Sequence, residues 1–169
     1  KEELEIKVKT CVYRAICALG VNHGSVNMDL LITNGGNVHI IDIGARMGGN
    51  LIGSHIVPIG TGIDYMGNMI RAAVSDPTCW KPECQPRSVA TKLLALTPGK
   101  VKELPDFDQI SSKYDVQIEH HLHVGDAITP YRTNLDGCGY VVSCGYDVDN
   151  CIALATDVRK VIDESIIRE

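Results

Sequence analysis

Residues 25–50 read SVNMDLLITNGGNVHIIDIGARMGGN, and the reading of this stretch decides the fold around it. Ser25 to Thr33 alternates Val26, Met28, Leu30 and Ile32 against Asn27, Asp29, Leu31 and Thr33, the period of a strand. Val38 to Ile43 is a second apolar run. Between them lies Asn34-Gly35-Gly36-Asn37, which supplies the positive φ that a tight hairpin turn needs. A two-residue loop at Gly35-Gly36 places Asp29 opposite Asp42. A loop at Asn34-Gly35 places Asn27 opposite Asp42, with Asp29 diagonal on the same face. Either keeps the two acids on one face, because side chains alternate with period two; a three-residue loop would break this.

Like charges directly opposite on a sheet repel, so water, a shared proton or a cation must offset them. Oxygen-only ligands favour Mg²⁺ or Mn²⁺, and Mg²⁺ commonly takes one or two carboxylates plus phosphate oxygens. The plain alternative is that both acids face solvent. Arg46 follows Asp42 by four residues, and Gly48-Gly49 comes next. A guanidinium grips phosphate bidentately, and adjacent glycines let backbone N–H groups approach a ligand.

Asp29, the Asn-Gly-Gly turn, the run Ile41-Asp42-Ile43-Gly44-Ala45-Arg46 and Gly48-Gly49-Asn50 together resemble the C-terminal, metal-binding half of an ATP-grasp enzyme. The resemblance implies that Asp29 and Asp42 hold the Mg²⁺ (or Mn²⁺) bridging the ATP phosphates. It implies that Arg46 contacts phosphate or an acyl phosphate, and that the N–H groups of Gly48, Gly49 and Asn50 hold the carboxylate or acyl oxygen. Many family members carry Asn two residues after the second acid. Here that position is Gly44, which cannot ligate and resembles the amino-acid-ligase branch. The implied chemistry is activation of a small-molecule carboxylate by ATP for attack by an amine. Two alternatives stand beside it: a carbamoyl-phosphate-synthetase-like or biotin-carboxylase-like enzyme using bicarbonate, and a non-catalytic binding or dimerisation module, such as a homodimer formed through the second domain.

The flanking sequence is consistent with this. Glu2 to Leu19 carries Leu4, Val8, Val12 and Ile16 on one stripe, and Gly20 supplies a stop. Leu51 to Val57 reads as a short helical piece, Pro58 to Gly62 as a turn, and Ile63 to Val74 as a helix burying Ile63, Met66, Ile70, Ala73 and Val74. His55 reads as a helix histidine, with substrate contact as the alternative. Residues 76–87, rich in proline, read as a linker between a metal-site portion (1–75) and a second domain (88–169). In that second half, Ser88 to Leu96, Lys100 to Leu104, Val116 to Val124 and Tyr140 to Cys144 read as strands. Asp106 to Lys113 reads as a helix, and Asp149 is expected to cap a helix running to Ile167 with Ile152, Ala155, Val158, Ile162 and Ile166 on its stripe. The expected fold class is α+β, and the resemblance implies the C-terminal half of an ATP-grasp core plus a small antiparallel α+β domain. This second half resembles the family's C-terminal domain more loosely and holds no specific motif. His121 and His123 share one strand face and His120 the other, so at most two could join one site; a partly exposed strand face is the simpler reading.

With a net charge of −5, one Trp and one Phe, and no Lys/Arg cluster, the chain is a poor nucleic-acid binder. No apolar run approaches the length of a membrane span. The odd count of seven cysteines, with no C-x-x-C pair, reads as reduced thiols in a cytoplasmic protein. The start at Lys1 rather than Met reads as a fragment of a longer protein. The phosphate-binding lysines, Gly-rich lid and adenine hinge of an ATP-grasp enzyme have no candidates in this sequence. The expected partner is therefore the N-terminal ATP-grasp subdomain of the same protein, without which this chain should not turn over ATP.

Overall fold

A computed structural model describes residues 2–169. Helix α1 spans Glu2–Ala18, and strands β1 (Asn27–Ile32) and β2 (Val38–Gly44) form an antiparallel hairpin. The hairpin turn is not the two-residue loop expected. Thr33 N–H donates to Asn37 O (3.0 Å) and Gly36 N–H to Thr33 O (2.9 Å), so Asn34, Gly35 and Gly36 form a three-residue loop. Gly36 sits at φ +74°, the left-handed residue that such a loop requires. That loop alone would shift the register by one. A β-bulge at Ile41 corrects it: Ile32 pairs with Val38 and Leu30 with Ile40, yet Asp29 pairs with Asp42 and Asn27 with Gly44. The acids meet because two deviations cancel.

Beyond the hairpin, a π-helical turn covers Ile52–Ile56. Helix α2 (Val57–Thr61) replaces the turn expected over Pro58 to Gly62: Pro58 stands in the first helical turn, where its missing N–H costs nothing, and Gly62 ends the helix at φ +74°. Helix α3 spans Tyr65–Ala73, with the Asp64 carboxylate accepting from Gly67 N–H at 2.9 Å. Strands β3 (Ser88–Leu93), β4 (Gly99–Glu103), β5 (Gln117–His120), β6 (Ala127–Ile128), β7 (Gly139–Gly145) and β8 (Ile167–Arg168) follow, with α4 (Phe107–Tyr114) and α5 (Val148–Ser165) among them. The expected strand over Val116 to Val124 shortens to Gln117–His120, so His121 and His123 lie beyond it and face-sharing does not relate them. Asp147, not Asp149, caps α5, accepting from Asn150 N–H at 2.8 Å.

The chain divides into two compact units. One runs through Gly53 and adds Asp64–Trp80; the other is Ser54–Ile63 with Lys81–Glu169. In the first, α1 and the hairpin pack together and α3 is tied to the segment after it. Asn68, fully buried on α3, donates to Asp64 O (2.8 Å) and Cys79 O (2.6 Å) and accepts from Cys79 N–H (2.7 Å). The expected buried stripe on α3 is not buried: Ile70 and Val74 are each 63% exposed.

The second unit is a layered α+β body. Strand β7 lies between β3 and β5 in one antiparallel sheet, and β4 lies between β6 and β8 in another. Helix α5 covers the first sheet. Its buried stripe is Cys151, Ala155, Val158 and Ile162, so Cys151 takes the place expected of Ile152, which is 51% exposed. Ala155, Val158 and Ile162 meet Leu94, Val101 and Val141 in one core. Each buried Leu, Ile or Val there contributes about 1.5–3 kcal/mol relative to exposure.

Candidate functional site

Asp29 and Asp42 are cross-strand partners in the first unit. Both are exposed, and no hydrogen bond or ion pair engages either carboxylate among the described residues. Period-two alternation adds Asn27 and Gly44 to the same face, since they pair one step further along the ladder. The alternation in the sequence already places Asn27 on the face of Asp29, though not among the candidate ligands. The signal that it shares the face, its i, i+2 spacing from Asp29, was present in the sequence.

Gly44 shapes the site by what it leaves out. A Cβ there would stand 3.5 Å from Arg46 Cγ and 3.7 Å from Arg46 Nε. The Arg46 side chain therefore lies back over Gly44, with Nη1 donating to Met47 O at 2.8 Å. A Cβ at position 44 would thus make ordinary van der Waals contact with the Arg46 side chain.

The loop after Arg46 is crowded at Gly48 and takes left-handed backbone just beyond its glycines. A Cβ on Gly48 would lie 2.9 Å from Asn27 Oδ1 and 3.0 Å from Ile52 Cβ, so glycine is required by close approach. Gly49 meets nothing within 4 Å on its Cβ side, and its carbonyl accepts from Ile52 N–H at 2.9 Å. Asn50 and Leu51 then take φ +51° and +62°. Consecutive left-handed non-glycine residues cost on the order of 1–3 kcal/mol each and concentrate at functional sites. The structure thus brings Asp29, Asp42 and Arg46 to one end of the hairpin, with Gly48 against Asn27 and Asn50 beginning the strained pair.

Two exposed carboxylates with no competing partner form an oxygen donor set that fits Mg²⁺ or Mn²⁺ better than a soft metal. Among the described residues no group of three His, Cys, Asp or Glu side chains converges on a metal position, so this pair would need outside oxygens to complete a coordination shell. The histidine run gives no site. His120 stacks on Phe107 with ring centroids 3.8 Å apart, and burial lowers its pKa below the ordinary histidine value. His123 Nδ1 lies 3.6 Å from Asp126. All seven cysteines are unpaired, and burial raises the thiol pKa of Cys138 and Cys151.

This α+β fold matches the C-terminal portions of ATP-grasp enzymes of known structure. Within it, residues 92–164 match the family model described as L-amino acid ligase C-terminal domain 2. The chain is similar to an L-amino acid ligase from Bacillus licheniformis, with a TM-score of 0.78 and 22% identity over 100% of this chain and 44% of that one. A phosphoribosylglycinamide synthetase from Anaerococcus prevotii gives a TM-score of 0.75 at 24% identity, covering 100% and 42%. An N5-carboxyaminoimidazole ribonucleotide synthetase from Thermotoga maritima gives 0.68 at 16%, covering 100% and 44%. The chain spans less than half the length of each of these proteins. No curated protein matches it. Among the described residues no helix is long and apolar enough to cross a membrane.

Proposed function

We propose that this chain is the metal- and phosphate-binding portion of an ATP-grasp ligase that joins a carboxylate to an amine. The observation carrying the proposal is the Asp29–Asp42 pairing on the face over which Arg46 is laid. Asp29 and Asp42 would hold the divalent cation, which when bound neutralises the terminal phosphates of ATP. Arg46 would stabilise negative charge as the γ-phosphoryl moves to the substrate carboxylate. N–H groups of the loop from Gly48 to Asn50 would orient the carboxylate or acyl oxygen. The acyl phosphate is then open to attack by an amine, and no covalent protein nucleophile is needed. The match of residues 92–164 to an L-amino acid ligase domain favours an organic carboxylate over bicarbonate.

The first unit also supports a missing partner. None of its described apolar side chains is buried, and Ile41, Tyr13 and Ile6 are 66%, 69% and 59% exposed. An N-terminal ATP-grasp subdomain of the same protein would cover this surface and supply the nucleotide-binding groups, so this chain alone would not turn over ATP. Asp42→Asn in the full-length protein tests the reading. ATP-dependent ligation, scored as ADP release with amino acids, should fall by on the order of 100-fold or more; unchanged ligation would sink the metal-site assignment. ADP release with bicarbonate and ammonia, but not with amino acids, would move the chain to the carboxylase-like branch.

A further inference from the structure

A second candidate site lies wholly within the second unit, in a cavity of about 490 Å³ whose walls include Ser54, His55, Arg87, Asp115, Gln117 and Val142. Its size falls in the range of roughly 300–1,000 Å³ typical of small-molecule sites. Gln117 and Val142 are cross-strand partners, so they share the sheet face that lines it. Val142 is 2% exposed and supplies a buried apolar wall.

The polar groups around this wall are opposite in charge, and Arg87, Asp115 and Gln117 are open to solvent. Arg87 is anchored through its backbone, whose N–H donates to Ile59 O at 3.0 Å. Its guanidinium makes no ion pair or hydrogen bond among the described residues, and neither does the Asp115 carboxylate, although both border the same cavity. Asp115 is held at φ +52° as the C-cap of α4, a left-handed conformation that non-glycine residues rarely adopt. Ser54 Oγ lies 2.8 Å from His55 Nδ1, leaving Nε2 as the ring nitrogen with no partner. Both residues sit on a π-helical turn, a distortion that recurs at functional sites.

A cation and an anion facing one cavity without pairing match a ligand that carries both charges. We propose that this cavity binds a small zwitterion of the free amino acid class, with its carboxylate on Arg87 and His55 and its ammonium on Asp115. The apolar wall at Val142 would accept a short side chain, and Gln117 offers both a donor and an acceptor. This site is independent of nucleotide and metal, so its test stands apart from that of the ligase reading.

The test is a titration of the full ¹⁵N-labelled chain with L-alanine, read on the amide resonances of Asp115, Gln117, Val142 and Cys144. Propionate, propylamine and inorganic phosphate serve as the comparison probes. L-alanine should shift these four amides and bind at least roughly tenfold more tightly than propionate or propylamine. Arg87→Ala and Asp115→Asn should each weaken L-alanine by roughly tenfold, as expected for a charged hydrogen bond removed. Asn tolerates the left-handed conformation, so the second variant keeps the backbone. Absence of shifts at these amides, binding of phosphate or propionate as tight as that of L-alanine, or unchanged binding by both variants would overturn the proposal.

Discussion

The two units of this chain differ in where their apolar side chains go. In the second, Leu94, Val141, Val158 and Ile162 are almost wholly excluded from water around β7 and α5. In the first, no described apolar side chain is buried, and the one large side chain fully enclosed is the polar Asn68. The first unit carries ordinary amphipathic patterns: α1 repeats apolar residues at helical spacing, and β1 alternates. A pattern says that a face wants cover; it does not say that the cover lies within the same stretch of chain. The unit with the acid pair is the one whose apolar surface is open, and the unit that supports no recognisable motif is the one with a finished core.

That contrast can be broken most directly at the core. Leu94→Ala should cost about 2–5 kcal/mol in a urea titration, since a fully buried side chain leaves a cavity. Asn68→Ala comes next, at about 1–3 kcal/mol, because it strips partners from Cys79 N–H, Cys79 O and Asp64 O. Its effect should show first in hydrogen exchange at Cys79, within the first unit; loss of protection spread evenly over β7 and α5 would mean the two units unfold as one. Asp147→Ala should cost about 1 kcal/mol through the lost cap of α5 while Asp149→Ala leaves helicity unchanged; the reverse ranking would restore the cap to Asp149. Ile70→Ser, on the exposed face of α3, should change stability by no more than about 0.5 kcal/mol. A large loss there would show that the first unit has a core of its own.

The smallest effect is a pH slope in the second unit. Burial lowers the His120 pKa, so the folded state binds fewer protons there than the unfolded chain. Stability from this group is full above its ordinary value of 6.5 and falls as pH drops through that value toward the depressed folded one. His120→Gln should flatten this slope in thermal melts taken between neutral and mildly acidic pH; a slope of the same size would assign it to other groups.

The sequence carried the second unit's elements well but their details poorly. The helix read over Asp106 to Lys113 forms as α4, Phe107–Tyr114, with Asp106 as its cap, accepting from Gln109 N–H at 2.9 Å. At α5 the cap was read at Asp149, two residues late, because the chain's path after β7, which selects Asp147, is not visible in residue order. The strand expected to run to Val124 stops at His120, where that ring stacks on Phe107. Pro58 to Gly62 read as a turn because the helix start was invisible; in the first helical turn Pro58 is tolerated. The cavity residues Arg87, Asp115 and Gln117 carried no signal, because they come from a proline-rich segment, a helix cap and a strand that become neighbours only through the fold.

By itself the sequence determined the chemistry on offer: two acids on adjacent strands, an arginine four residues on, and a glycine pair beyond it. Alternation with period two is local, so it is readable from residue order. Tertiary structure decided whether the acids meet. The turn is one residue longer than the glycines implied, and the bulge at Ile41 restores the pairing, a correction that depends on how one strand lies against the other rather than on either alone. It also decided that Gly44 is the bed for Arg46, since a missing side chain acquires meaning only from what lies over it.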